Sequence, residues 1–242
     1  EMNVSSLLED IAAANQTYAN ASWLIGYNHF IGALQHSTKS PREMLDAVVS
    51  DRPVIIMENS SHSMWVNSKA LETLGFDKNT TDPVGGILDR DEQTGELTGI
   101  LVDNAGNIAL DVAMSQLQVS ADEKYQTLVE YTLPQFAQNG ITSTKDARTF
   151  WQRNDDDIWK KAARNGDLTL RATVSLWAYP ELEDASQIQA LTNRFYESTD
   201  QLLKINNVKF YIDGVTENTT AALFEPYLEY MWSSPVSIPD NS

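Results

Sequence analysis

The stretch NNVKFYIDG, residues 206–214, sets a lysine among alternating side chains: Val208, Phe210 and Ile212 on one side, Lys209, Tyr211 and Asp213 on the other, until Gly214 breaks the pattern. Strand ends of this kind are where α/β proteins assemble their sites. An ammonium group just upstream of an Asp-Gly turn is therefore placed for chemistry, or it is a snorkelling lysine salt-bridged to Asp213 or Asp146. Other reactive groups are sparse. The three histidines, His29, His36 and His62, include no His-x-His pair, so they supply no complete metal site. Cysteine is absent, which excludes a thiolate nucleophile, a zinc thiolate and a disulfide. Asp146 and Asp213 are the one obvious carboxylate couple that a glycoside hydrolase barrel, with its pair at roughly 5 to 10 Å, would require. The glycines of VGGI and TGELTG lack the spacing of a phosphate loop and read as turn residues. The run NDDD at 154–157 lacks the glycine and distal glutamate of a calcium loop and reads as the acidic start of a helix.

The elements that must position these groups fall into two rhythms. Residues 5–19 carry Leu7, Leu8, Ile11 and Ala12 at helical spacing, and ASWLIGYNHFIGAL then turns extended. SPREMLDAVV opens with Ser40 as N-cap and Pro41 at the first helical position. RPVIIME is a short buried strand, WVNSKALETLG a helix closed by Gly75, and GGILDRDEQTGELTGILV a β-hairpin turning at Thr94-Gly95. Ser120 and Glu123 form a capping box for a helix running to about Gln138. From Gly140 the order becomes strand, helix, strand, helix, strand, the alternation of βαβ units and a parallel sheet. Three strands do not close a barrel, which takes about 250 residues. The fold class expected is α/β: a partial TIM-like (β/α) barrel, strands two to four, over 139–242, preceded by an inserted mixed α+β subdomain over 1–138.

The formal charge of −17 and a pI near 4.4 argue against nucleic acid and anionic membrane surfaces as partners. No apolar run approaches the roughly 20 residues that span a bilayer, so a soluble chain is expected, cytoplasmic or exported, with no membrane insertion. Both ends read as cuts in a longer protein. The Asn-x-Ser/Thr triplets at Asn15, Asn79 and Asn218 signal glycosylation only in a secretory host.

RPVIIMENSSHSMWVNSKALETLGF, DPVGGILDRDEQTGELTGILVDNA, NGITSTKDA and VKFYIDGVTENTTAALFEPY occur in an order that resembles amidohydrolase family three, the branch similar to N-substituted formamide deformylase. The likeness runs from about Trp23 to Tyr227. It implies a hydrolase of C–N bonds with one or two divalent metals, zinc being the one expected, at the C-terminal mouth of a TIM-like barrel. Lys209 matches the family's fourth-strand lysine, which carbon dioxide can carboxylate into a metal-bridging ligand; that reaction needs the neutral amine, which burial favours. The other ligands of the family have no counterpart here, so a metal is expected in the intact enzyme and none bound to this stretch alone, which is expected to be inactive. His62 matches a His-x-x-Trp-x-Asn-Ser pattern. The resemblance makes His62, Trp65 and Asn67 pocket candidates, the imidazole donating to a substrate carbonyl; the alternative is a helix-entry motif in which His62 and Asn67 satisfy backbone groups. Many relatives carry an acid two positions before this histidine, where this chain has Ser60, which puts a His-Asp pairing in question. Asp146 resembles the end of the second barrel strand, with Lys145 where histidine is common, and it joins Asp213 among the pocket candidates. The implied partner is a small amide-type substrate. Unpaired strand edges are expected to favour self-association, and a non-catalytic binding module is the other class left open.

Overall fold

The computed structural model describes residues 4–35, 39–117, 119–228 and 231–232. Contacts group the chain into two compact units, one drawn from 1–117 with 212–242 and the other from 118–211.

In the first unit the order is α1 (Val4–Thr17), β1 (Leu24–His29), α2 (Ile31–Gln35), α3 (Pro41–Asp46), β2 (Val54–Glu58), β3 (Ser63–Val66), α4 (Ser68–Leu74), β4 (Gly86–Arg90), β5 (Leu97–Asp103) and α5 (Asn104–Leu117). The strands form one sheet, β1-β2-β3-β5-β4, in which β1 and β2 run parallel and the other neighbours antiparallel. Alternate residues feed two cores. Ile56, Trp65, Ile100 and Val102 pack with Ile11 of α1 and Leu45 of α3. Ile55, Met64, Val66 and Leu101 pack with Leu71 of α4 and Ala105 and Ala109 of α5. With helices on both faces the central strands are apolar at successive positions, as sheets buried on two sides must be. Each such side chain contributes about 1.5–3 kcal/mol on burial.

Local signals position several of these elements. Ser40 accepts from Glu43 N at 3.3 Å while the Glu43 carboxylate accepts from Ser40 N at 3.1 Å, so α3 starts with a complete capping box and Pro41 in the first turn. The hairpin is present as β4 and β5, with Gly95 at φ 72° in the tip and Asp91 N donating to Glu96 O across it at 2.9 Å. It belongs to the first unit's sheet and pairs with none of the strands from 143 onward. One boundary differs from expectation. Trp65 and Val66, expected in the helix, belong to the strand SMWV, whose Met64, Trp65 and Val66 alternate between the two cores; α4 begins only after Asn67 caps it.

The second unit holds α6 (Ala121–Gln126), a π-helical turn (Thr127–Thr132), α7 (Leu133–Gln138), β6 (Ser143–Thr149), α8 (Asp155–Asn165), β7 (Arg171–Trp177), α9 (Asp184–Asn193), β8 (Tyr196–Glu197) and β9 (Leu203–Lys209). The sheet order is β6-β7-β9-β8, with β6, β7 and β9 parallel and β8 an antiparallel edge. Helical backbone runs through 121–138 as expected, widened in the middle because Pro134 offers no N–H and crowds the carbonyl four residues back. Leu128 and Leu133 of this stretch, assigned by sequence to the first domain, pack into the second unit's core with Ile158, Val174 and Ile205.

The 206–213 segment departs from its alternating pattern. Val174 pairs with Ile205 but Ser175 with Asn207, so Asn206 bulges and the phase of β9 inverts. Val208, Phe210 and Ile212, expected on an inward side, are exposed, Ile212 to 85%. The strand ends at Lys209.

Candidate functional site

β3 and β5 pair antiparallel with Ser63 opposite Val102, so the next residues outward, His62 and Asp103, face each other at the end of the ladder. Asp103 N donates to His62 O at 2.7 Å, and His62 Nδ1 lies 2.6 Å from Asp103 Oδ1. Asp103 adopts φ 48°, a left-handed turn that aspartate tolerates, and α5 starts on the next residue. Ser61, at φ 65°, turns the chain into β3, and Ser60 Oγ accepts from His62 N at 3.2 Å. Both side chains are largely but not wholly buried, at 14% and 13% exposed. The loop after Asp213 closes over the pair: Gly214 N donates to Thr220 O at 3.0 Å, and a side chain at Gly214 would stand 1.8 Å from Thr220 Oγ1 and 3.0 Å from Asp103 Oδ2, so only glycine fits. Glu217 on the same loop has its carboxyl held below the usual carboxylate value, first by its own backbone amide and then by the Thr216 hydroxyl, with His62 contributing.

Behind the pair is a buried acid. Glu58, at the end of β2, accepts from Ile31 N at 3.3 Å, Ser60 Oγ at 2.8 Å, Ser63 Oγ at 2.9 Å and Asn218 Nδ2 at 3.1 Å. Asn218 O in turn accepts from Trp232 Nε1 at 2.5 Å. Asn218 is wholly buried, which keeps this triplet from an oligosaccharide in the folded chain. His29, also fully buried, packs edge-on to Trp65 at 6.1 Å. Burial pushes its pKa down to about 4, with the Glu58 carboxylate opposing in part. The unfolded chain, with histidine near 6.5, takes up that proton first as pH falls. Stability is therefore complete above pH 6.5 and declines toward pH 4 by on the order of 3 kcal/mol. Urea unfolding across this range should show the decline, and His29→Gln should flatten it; an equal decline in both proteins would assign it to other groups.

Of the residues singled out from sequence, His62 gains the acidic partner that Ser60 fails to provide, and the partner is Asp103, which sequence reasoning missed. Trp65 and Asn67 are not pocket residues. Trp65 is fully buried in the first core and donates through Nε1 to Pro41 O at 2.6 Å. Asn67, also fully buried, accepts from Val54 N at 3.0 Å and Ala70 N at 2.9 Å and donates to Val49 O at 2.8 Å and Arg52 O at 2.9 Å. Asp213 lies in the loop, not on a strand, where its Oδ2 accepts from Ala222 N at 3.0 Å. His36 lies outside the described residues.

Lys209 and Asp146 are both in the second unit but are not brought together. Asp146 pairs with Val174 on the face covered by α8, and its Oδ2 accepts from Trp159 Nε1 at 3.1 Å. Lys209 pairs with Trp177, three residues further along β7, and its ammonium lies 4.7 Å from the Tyr211 ring centroid. Among the described residues no three His, Asp or Glu side chains converge as metal ligands, and no helix is long and apolar enough to cross a membrane.

A family profile described as Amidohydrolase family matches residues 1–241. Bacillus subtilis (strain 168) YtcJ, which carries an amidohydrolase name, is 25% identical over 239 residues, covering 98% of this chain and 43% of that protein. The exoenzymes regulatory protein AepA of Pectobacterium carotovorum subsp. carotovorum is 23% identical over 93% of this chain and 48% of its own length. N-substituted formamide deformylase of Arthrobacter pascens is 22% identical over 87% of this chain and 38% of that protein. The chain thus spans less than half the length of these curated relatives. Among solved structures, an uncharacterized metal-dependent hydrolase from Pyrococcus horikoshii OT3 shares the fold with a TM-score of 0.52 at 17% identity, over 88% of this chain and 38% of that one.

Proposed function

The chain belongs to the amidohydrolase family, and on that premise we propose that it is part of a hydrolase that opens the C–N bond of small amide, formamide or related substrates. The observation that carries this reading is the His62–Asp103 pair at 2.6 Å. In the neutral imidazole, an N–H at Nδ1 donated to the carboxylate leaves the basic lone pair on Nε2 and holds the ring in one orientation. Amide hydrolysis places charge on the carbonyl oxygen and needs a proton on the departing nitrogen. An imidazole held in this way can accept a proton from water at Nε2 and return it to that nitrogen, or donate to the oxygen, with Asp103 stabilising the imidazolium.

The family implies a divalent metal, zinc by expectation, which when bound would polarise the carbonyl and acidify water. The residues described here do not fit it, since no ligand trio converges among them, and the role given to His62 stands apart from it. What supports β6, β7 and β9 as consecutive strands of a (β/α) barrel is their parallel order with intervening helices. What supports Lys209 as the family's bridging position is its place as the last residue of β9.

The test is an assay on N-formyl and N-acyl compounds alongside metal analysis by mass spectrometry. The 242-residue chain is expected to hold less than one equivalent of zinc and to show no turnover, and the complete gene product to hydrolyse. Stoichiometric zinc with turnover in this chain would show the site misplaced, and a complete gene product inert toward every N-acyl compound would remove the hydrolase reading.

A further inference from the structure

We infer that Glu58 is a positioning residue of the candidate site: buried away from any substrate, it orients the His62 imidazole by holding both the turn that carries His62 and the loop that covers it. All of these residues belong to the first unit. Glu58 ends β2, between β1 and β3, and is 1% exposed. Its Oε1 accepts from Ile31 N, and its Oε2 accepts from Ser60, Ser63 and Asn218 at once, at 2.8, 2.9 and 3.1 Å. One oxygen atom thus joins the His62 turn to a loop 160 residues further along the chain.

The two serines bracket His62. Ser60 Oγ donates to Glu58 and accepts from His62 N at 3.2 Å, and Ser63 is the first residue of β3, opposite Val102 and so one step from Asp103. Ser61 N closes the turn on Glu58 O at 2.9 Å, with Ser61 at φ 65°. A serine at positive φ is unfavourable by itself, so the turn keeps this shape only while the bonds to Glu58 hold it. The contact of His62 Nδ1 with Asp103 Oδ1 at 2.6 Å depends on that shape, because a shift of about 1 Å is enough to break a hydrogen bond.

On the covering side, Asn218 makes the third bond to the same oxygen. It is wholly buried, its carbonyl accepts from Trp232 Nε1 at 2.5 Å, and the Thr219 hydroxyl accepts from Met231 N at 3.0 Å. The loop is closed on itself by Gly214 N to Thr220 O and Val215 N to Thr220 Oγ1, both at 3.0 Å, so fixing Asn218 fixes the rest. Glu217, the residue before it, has its carboxyl held low by its own amide, by the Thr216 hydroxyl and last by His62, which places it near the imidazole. An acid that only filled this part of the core would be costly, since an apolar side chain of similar volume needs no donors. An acid that gathers two hydroxyls and an amide on one atom has no apolar substitute.

Nitrogen-15 NMR of the full chain tests the inference, because protonated and bare ring nitrogens differ widely in chemical shift. With the imidazole neutral, His62 should be almost wholly in the form protonated at Nδ1. Glu58→Leu keeps the volume and removes the acceptors, and it should raise the share protonated at Nε2 about fivefold; Ser60→Ala, which cuts the link to His62 alone, should do the same. Glu58→Gln can set its amide oxygen where Oε2 lies, and Ser60→Thr keeps the hydroxyl, so both should retain the parent form. Should Glu58→Leu fail to fold by circular dichroism, the contrast between Ser60→Ala and Ser60→Thr decides. A Ser60→Ala protein with the parent tautomer overturns the inference and leaves Glu58 a purely structural acid, as does a folded Glu58→Leu protein with the parent tautomer. The effect on turnover rests on the hydrolase reading: in the complete gene product Glu58→Leu should lower kcat/KM by about 10- to 100-fold, mainly through kcat. A tautomer shift in a gene product inert toward N-acyl compounds sustains Glu58 while the hydrolase reading fails. Turnover with no tautomer shift in the variants does the reverse.

Discussion

In the complete gene product, under the proposed hydrolase reading, Asp103→Asn is expected to lower kcat/KM for N-acyl substrates by on the order of 10²- to 10⁴-fold, as loss of a positioned acid–base group does. The carboxylate contacts His62 Nδ1 at 2.6 Å. An amide at that position can turn its NH₂ toward the ring and enforce the other tautomer, which moves the lone pair away from Nε2. His62→Gln should cost a similar factor, and the double variant little more than either alone, because the two side chains act as one unit. A purely structural role predicts a different outcome. Asp103 also turns the chain between β5 and α5 through its backbone, which asparagine tolerates equally well at positive φ. Asp103→Asn should therefore unfold in urea close to the parent midpoint while its pH–rate profile loses the limb assigned to histidine. An unchanged profile with reduced stability would reassign the pair to holding the β3–β5 edge.

Asn67→Ala lowers the unfolding free energy by about 3–4 kcal/mol, the largest effect expected of a single polar substitution in the first unit. Its four hydrogen bonds tie the starts of β2 and α4 to the loop at 49–52. Removing the amide leaves two N–H groups and two carbonyls without partners in a region that water does not reach. Asn67→Asp keeps the two accepted bonds but sets a carboxylate against two carbonyl oxygens, so it should be no better. Equilibrium urea denaturation followed by tryptophan fluorescence measures both. A cost under about 1 kcal/mol would show that the backbone relaxes or that water enters.

The two substitutions separate the roles within one motif. SSHSMWVNS reads as a single functional string, but it divides at the start of β3: His62 lies outside the strand, beside Asp103, and Trp65 and Asn67 face inward. Spacing of one to three residues does not say which side of a strand a residue occupies until the strand's limits are known, and those depend on which neighbours cover it.

Wherever the controlling interactions are a few residues apart, the sequence by itself determined the outcome. The Ser40 and Ser120 capping boxes, the glycine stop after α4, the turn at Gly95 and the βαβ succession from β6 to β9 all follow from local backbone chemistry and side-chain period. The family was legible too, because ordered motifs survive when overall identity has fallen to about a quarter. Only the tertiary structure decided the rest. His62 meets Asp103, 41 residues away, because β5 inserts between β3 and the edge strand β4 and pairs with both, and sequence alone leaves that neighbour order open. The side chains of β9 change sides because one residue bulges, and one extra residue reverses every later position in a period of two. The 121–138 helix joins the second unit because its Leu128 and Leu133 find their apolar partners there, a choice made by burial, which is non-directional and acts at any separation along the chain.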